Sequence, residues 1–306
     1  MKKAILITLP LVIIVTLTGF FVNSGRTKAL AIKFDVKDLP EHGLSIITPS
    51  SPSFDELLAS YLKDRPLISA EDIRPSSVFL LNTGDKTVVA YKIRWECMKQ
   101  DGSIINKDVS YAVTWRLMDE GAGDGDGAIN PNSTWFCSLV LPTEPLVGGQ
   151  PESSQDSDSS LGKVLGEYNK QLEQYTKMTV SLDGVFFADG TFVGANKTNF
   201  FDEVKAQIDA KYDVLSEIDA ALAQNKSLED LFTPLEQLAN APAPEPNPQS
   251  TPTDYYNFWK KMFAQEALGM RESADNDRAR RQVLRNYVKQ KAKPWVKLRK
   301  LDDVAR

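Results

Sequence analysis

The chain has 306 residues, 42% hydrophobic and 25% charged, with a formal charge of −5 at pH 7. This balance excludes wholesale disorder and, with a pI near 5.2, a nucleic-acid-binding protein as a whole. A single histidine, His42, and two cysteines, Cys97 and Cys137, leave no Ser-His-Asp, Cys-His or multi-histidine metal site unless His42 takes part, and no cofactor is expected.

Lys2 and Lys3 precede an apolar run from Ala4 to Val22, broken only by Pro10, Gly19 and three threonines. A basic segment before such a run is the pattern of a secretory signal. The run also approaches the ~20 residues that span a bilayer. Val22-Asn23-Ser24 offers a cleavage site after Ser24, and Ala29-Leu30-Ala31 a closer A-x-A match beyond Arg26 and Lys28. Residues 1–25 are therefore read as a signal peptide or a retained single anchor through residues 4–22. Either way the remainder is expected outside the cytoplasm, in a periplasmic or other extracytoplasmic space.

Residues 30–195 read as a β-sandwich domain. Val89, Tyr91, Ile93, Trp95 and Cys97 alternate with polar residues, as do Val109, Tyr111, Val113, Trp115 and Leu117. Trp135, Cys137, Leu139 and Leu141 form a third row, in which Phe136 and Val140 make both faces apolar. Such alternation marks half-buried antiparallel strands. Asn82-Thr83-Gly84-Asp85-Lys86 supplies a turn, and Ala188-Asp189-Gly190 turns Val185–Phe187 back onto Thr191–Val193. Weaker strands are expected at 31–36 and 44–47. The fold class is α+β: an immunoglobulin- or fibronectin-like antiparallel β-sandwich with appended amphipathic helices.

The stretch Ser77 to Met98, with its N-x-G-x-K turn before a long alternating strand, resembles the opening of many bacterial immunoglobulin-like domains. The stretch Val180 to Gly194 is similar to a signature of exported bacterial proteins of unassigned function. The resemblance covers about half the chain and implies a fold and a compartment, with no activity attached. The Cys…Trp…Cys framework is only partly echoed, because Cys137 follows Trp115 too soon.

Ser53-Phe54-Asp55-Glu56 reads as a capping box before a helix that Pro66 ends. A stripe from Leu161 to Tyr175 predicts a helix inserted between strands. Residues 196–240 read as packed helices, with Phe201, Val204, Ile208, Tyr212, Leu215, Ile218 and Leu222 on one face and a shorter helix over 228–239. Residues 241–253 hold five prolines and read as a polyproline II linker; residues 241–252 span about 37 Å when extended. Beyond it, 254–306 reads as a basic helical segment. From Lys260 onward it carries 14 Lys/Arg against 6 Asp/Glu, which leaves −13 for the rest of the chain.

Four features are candidates for chemistry. Cys97 and Cys137, both on inward rows, form a disulfide in an oxidising compartment or remain as two buried thiols. The loop Asp119–Gly127 is rich in carboxylates but lacks the EF-hand register, so a solvated loop is expected. His42 sits in a turn and is expected at the surface. Lys260, Lys261, Arg278, Arg281, Arg285, Lys289, Lys297, Arg299 and Lys300, with Trp259 and Trp295 among them, suit an anionic envelope surface, an acidic protein, or the chain's own acidic front part. The expected function is an exported, non-enzymatic binding or scaffolding protein of the cell envelope. The alternative is a carboxylate-based glycan hydrolase.

Overall fold

Alternation along β4 (Val88–Lys99) places Tyr91, Ile93, Trp95 and Cys97 on one face, and all four are fully buried. This comes from a computed structural model, which describes residues 32–66, 68–112, 115–118, 127–140, 165–243, 245–247, 249–272, 274–292 and 295–301. The predicted signal or anchor, the loop 119–126 and the loop 152–160 lie outside the described residues.

The inner row of β4 belongs to a six-stranded sheet. β5 (Ile104–Ala112) pairs antiparallel with one edge of β4, and β7 (Tyr175–Phe187) pairs antiparallel with the other. Beyond β7 lie β1 (Lys33–Lys37) and the hairpin strand β8 (Thr191–Val193), which pairs in turn with β9 (Arg299–Lys300). A second, antiparallel sheet has the order β2 (Leu44–Ile47), β3 (Ser77–Asn82), β6 (Ser133–Ser138). Leu44, Val78, Leu80 and Cys137 of this sheet share one core with Trp95, Met178, Val180 and Val185 of the larger one.

The fold is α+β, and its larger sheet departs from the antiparallel expectation: β1 pairs parallel with β7, and β9 parallel with β8. A residue without an antiparallel partner also changes one expected row. A register shift between Val88 and Ala90 puts Val88, rather than Val89, into the inter-sheet core. Val89 and Ala90 turn to the opposite face, beneath Phe186, Phe192 and Phe200.

β6 is apolar on both faces because both faces are covered. Trp135 and Cys137 face the inter-sheet core, while Phe136 packs under α1 (Phe54–Leu62), where Tyr61 stacks on it at 3.9 Å. Ile73, at the end of α2 (Ala70–Ile73), and Leu165, on a helix over 165–172 (α4), complete that layer. The helix predicted after Ser53 is present, but Ser53 makes no side-chain cap.

The strand expected through Trp115 ends at Ala112. Residues Trp115–Met118 form a short helix, α3, with Leu117 fully buried beneath the large sheet. The side chain of Trp115 lies outside the described residues.

Four helices follow. The spacing of Val204, Ile208, Leu215, Ile218 and Leu222 buries one face of α5 (Phe200–Ala223); Tyr212, expected on that face, is instead 44% exposed. Ser227 caps α6 (Leu228–Ala239) by accepting from Asp230 N at 3.0 Å. α7 (Pro252–Glu272) and α8 (Asp277–Val288) then pack against α5 and α6: Phe263, Ala264, Ala267, Leu284 and Tyr287 share one core with Val214, Leu215, Leu231 and Phe232.

The basic helical segment expected after the proline-rich stretch is therefore packed into the same helical core as α5 and α6. Within the proline-rich stretch Ser250 N donates to Asn247 O at 2.9 Å, and α7 already begins at Pro252. The apolar stripe of α7 finds its partner inside the chain. After α8 the chain returns to the large sheet: Val296 N donates to Leu117 O at 3.0 Å and Arg299 N to Gly190 O at 3.1 Å. Gly190 has φ +79, and a Cβ there would meet Val296 and Lys297 at about 2.5 Å, so this turn requires glycine.

Candidate functional site

The basic C-terminal residues divide into two groups. One group is spent on the chain's own acidic helices. Lys260 Nζ lies 2.9 Å from Glu217 Oε1, Arg271 2.8 Å from Glu236, and Lys291 3.8 Å from Asp219. Tyr256 donates to Asp213 at 2.5 Å, and the Arg281 guanidinium donates to Lys226 O at 2.6 Å. These are exposed or half-buried pairs, each worth about 0–1 kcal/mol, and they set the register of α7 and α8 on α5 more than they hold it there.

The second group stays at the surface. Arg278, Arg285 and Lys289 are exposed, and their spacing of seven and eleven residues aligns them on one face of α8 and the turn Lys289–Ala292. None of the three has a carboxylate partner among the described residues; Lys289 donates to Asn286 Oδ1 at 3.3 Å. Lys297 is exposed, Lys261 is half-buried, and Arg299 lies 3.8 Å from Asp189. Lys300 goes elsewhere, into a cleft.

That cleft, of about 230 Å³, is lined by His42, Phe192, Val193, Gly194, Ala195, Asn196, Lys300 and Leu301. Three separate pieces of chain build it. His42 closes the 3-10 turn Pro40–His42, where Gly43 follows at φ +71 with no room for a Cβ against Gly84. Lys300 is carried by β9. Asn196 lies in the loop between β8 and α5, and that loop is organised from beneath by a buried carboxylate.

The carboxylate is Asp183, 2% exposed, at the point where the β4–β7 register skips a residue. Asp183 Oδ1 accepts from Lys197 N at 2.8 Å, and Oδ2 from Thr198 N at 2.9 Å and Thr198 Oγ1 at 2.5 Å. Asp183 O accepts from Asn196 N at 2.7 Å. Asn196 Oδ1 then accepts from Phe201 N at 2.8 Å in the first turn of α5. The stretch Val180–Gly194 singled out in the sequence contains Asp183 and part of the cleft wall, but nothing in it linked them to His42 or Lys300; His42 was expected in an ordinary surface turn, and its side chain is 25% exposed at the cleft wall. The D-G hairpin was legible, but the bulge that aims Asp183 depends on pairing with β4.

Cys97 and Cys137 are free and fully buried, on strands of different sheets. Burial pushes the Cys137 thiol up to about 12, partly offset by its polar contact with Tyr91 Oη, 3.3 Å away. Burial raises the Cys97 thiol as well, opposed by the Lys107 charge. Reactive thiols are exposed thiolates, and these are neither. A thiol-reactive dye at neutral pH is expected to label neither cysteine in the native protein and both in denaturant. Rapid native labelling would show that the two-sheet core is open.

Among the described residues no group of three or more His, Cys, Asp or Glu side chains is placed to hold a metal ion. No helix among them is long and apolar enough to cross a membrane. No protein family, curated protein or solved structure matches the chain.

Proposed function

We propose that this is an exported, non-enzymatic binding or scaffolding protein of the cell envelope, which meets an anionic surface through α8. The supporting observation is the row Arg278, Arg285 and Lys289, exposed on one helix face without carboxylate partners among the described residues, on a chain whose other basic helix residues are largely paired internally. Export rests on the Lys2/Lys3 and Ala4–Val22 pattern. The finer fold assignment, an immunoglobulin- or fibronectin-like module, belongs to the same reading. Two sheets sharing one core, with the β3–β4 connection crossing between them at Asn82, support it. The parallel pairs at β1 and β9 speak against it. Among the described residues nothing favours the alternative, a carboxylate-based glycan hydrolase: the cleft lining offers an imidazole, an amide and an ammonium group.

The test is co-sedimentation of the protein with vesicles containing anionic lipid and with purely zwitterionic vesicles. Binding to the anionic vesicles alone, weakening as salt is raised, is expected. Each charge near such a surface contributes about 1 kcal/mol, so Arg278→Gln/Arg285→Gln/Lys289→Gln is expected to weaken binding about 100-fold. Equal binding by the triple variant would remove α8 from the reading. No binding to anionic vesicles would remove the lipid surface.

A further inference from the structure

We infer that the cleft between His42, Asn196 and Lys300 binds a small organic monoanion, a carboxylate carried on a short apolar body. This site is separate from the α8 row and does not depend on it.

Three polar groups from three chain segments line the cleft, and each retains unused donor capacity. Lys300 has no carboxylate partner among the described residues; its Nζ rests 4.8 Å from the centroid of the Phe201 ring. The Asn196 amide is oriented by its Oδ1, which accepts from Phe201 N at 2.8 Å, and its Nδ2 makes no hydrogen bond among the described residues. Among the described residues the His42 ring has one charged neighbour, Glu41, at 3.7 Å, and that carboxylate is 61% exposed. A lining of one ammonium group and two N–H donors, with no carboxylate in it, selects an acceptor-only anion.

Charge and size narrow the class. One lysine balances one negative charge, which suits a carboxylate better than a phosphate dianion. Phe192, Val193 and Leu301 supply an apolar wall that a bare inorganic anion would leave unused. A volume of about 230 Å³ lies below the usual range of drug-sized pockets, which suits a small ligand.

The walls are held before any ligand arrives. Asp183 fixes the 196–198 backbone. Gly194, at φ +121, lies so close to Asp183 that a Cβ would meet its carbonyl oxygen at 2.6 Å. Arg299 N ties β9 to Gly190 O. Binding therefore orders little of the protein, which favours a small ligand with few contacts to offer.

The single histidine makes the experiment direct, because His42 contributes the only imidazole Cε1–H resonance of the protein. Benzoate, acetate and inorganic phosphate are titrated at fixed pH and ionic strength while that resonance is followed by NMR. Benzoate is expected to shift it saturably with a Kd on the order of 1 mM. Acetate is expected to bind more weakly, and phosphate to give no saturable shift. Lys300→Gln is expected to weaken benzoate binding at least about tenfold, and Lys289→Gln to leave it unchanged. His42→Gln, followed by calorimetry, gives a second variant and is likewise expected to bind more weakly. A missing saturable shift with benzoate, or unchanged affinity in Lys300→Gln, would overturn the site. Tighter binding of phosphate than of benzoate would overturn the ligand class. Loss of vesicle binding in the α8 variant bears on neither result.

Discussion

A chain ending at residue 251 is expected to lose cooperative folding of its helical half. α7 lies along α5 with Ala264 and Ala267 at 0% exposure, so the two backbones approach closely, and Phe263, Leu284 and Tyr287 fill the space around them. Removing α7 and α8 uncovers Val214, Leu215 and Ile218 of α5 and Leu231, Phe232 and Leu235 of α6, all now 3% exposed or less. At about 1.5–3 kcal/mol for each large side chain returned to water, the loss of about 9–18 kcal/mol is as large as the 5–15 kcal/mol that usually separates native from unfolded protein. The truncation also removes β9, which pairs with β8. Urea titration followed by far-UV circular dichroism is expected to show reduced helix content and a broad transition, with aggregation of the truncated chain. A sharp transition at the midpoint of the full chain would establish 252–306 as a separable arm.

Trp95→Ala is expected to cost about 3–5 kcal/mol. Trp95 is fully buried in the core that both sheets share, directly opposite Lys107 on β5 and Val180 on β7. Neither sheet can close the void without sliding its register against the other. Its indole N–H has no hydrogen-bond partner among the described residues, so Trp95→Phe loses volume without losing a hydrogen bond and is expected to cost distinctly less. Equilibrium denaturation of both variants checks the order. A Trp95→Ala midpoint within error of the parent would mean that this row does not carry the core.

Period-two alternation was sufficient for Tyr91 to Cys97 and for the β7–β8 hairpin, because a side chain's face on a strand depends only on its position parity. The same rule failed at Val89, where a register shift inserts an extra residue, and bulges are created by the partner strand. It failed again at Trp115, beyond the end of β5. The doubly apolar row of β6 was read correctly as a pattern, but its cause, the cover by α1 and α4, is visible only in three dimensions. The basic residues of the C-terminus were legible as a group, yet composition cannot tell Lys260, paired with Glu217, from Arg285, which has no carboxylate partner among the described residues.

By itself the sequence determined the α+β class, the places of the main strands and the four C-terminal helices with their apolar faces, because these depend on local periodicity and capping. Tertiary structure decided what those faces meet. It packed the expected basic helical segment as two helices against the rest of the helical core, since an apolar stripe buries itself against the nearest complementary face, here α5. It also brought His42, Asn196 and Lys300, more than 100 residues apart at each step, to one cleft. No local signal encodes that meeting: it follows from the bulge at Asp183, the turn at Gly190 and the pairing of β8 with β9.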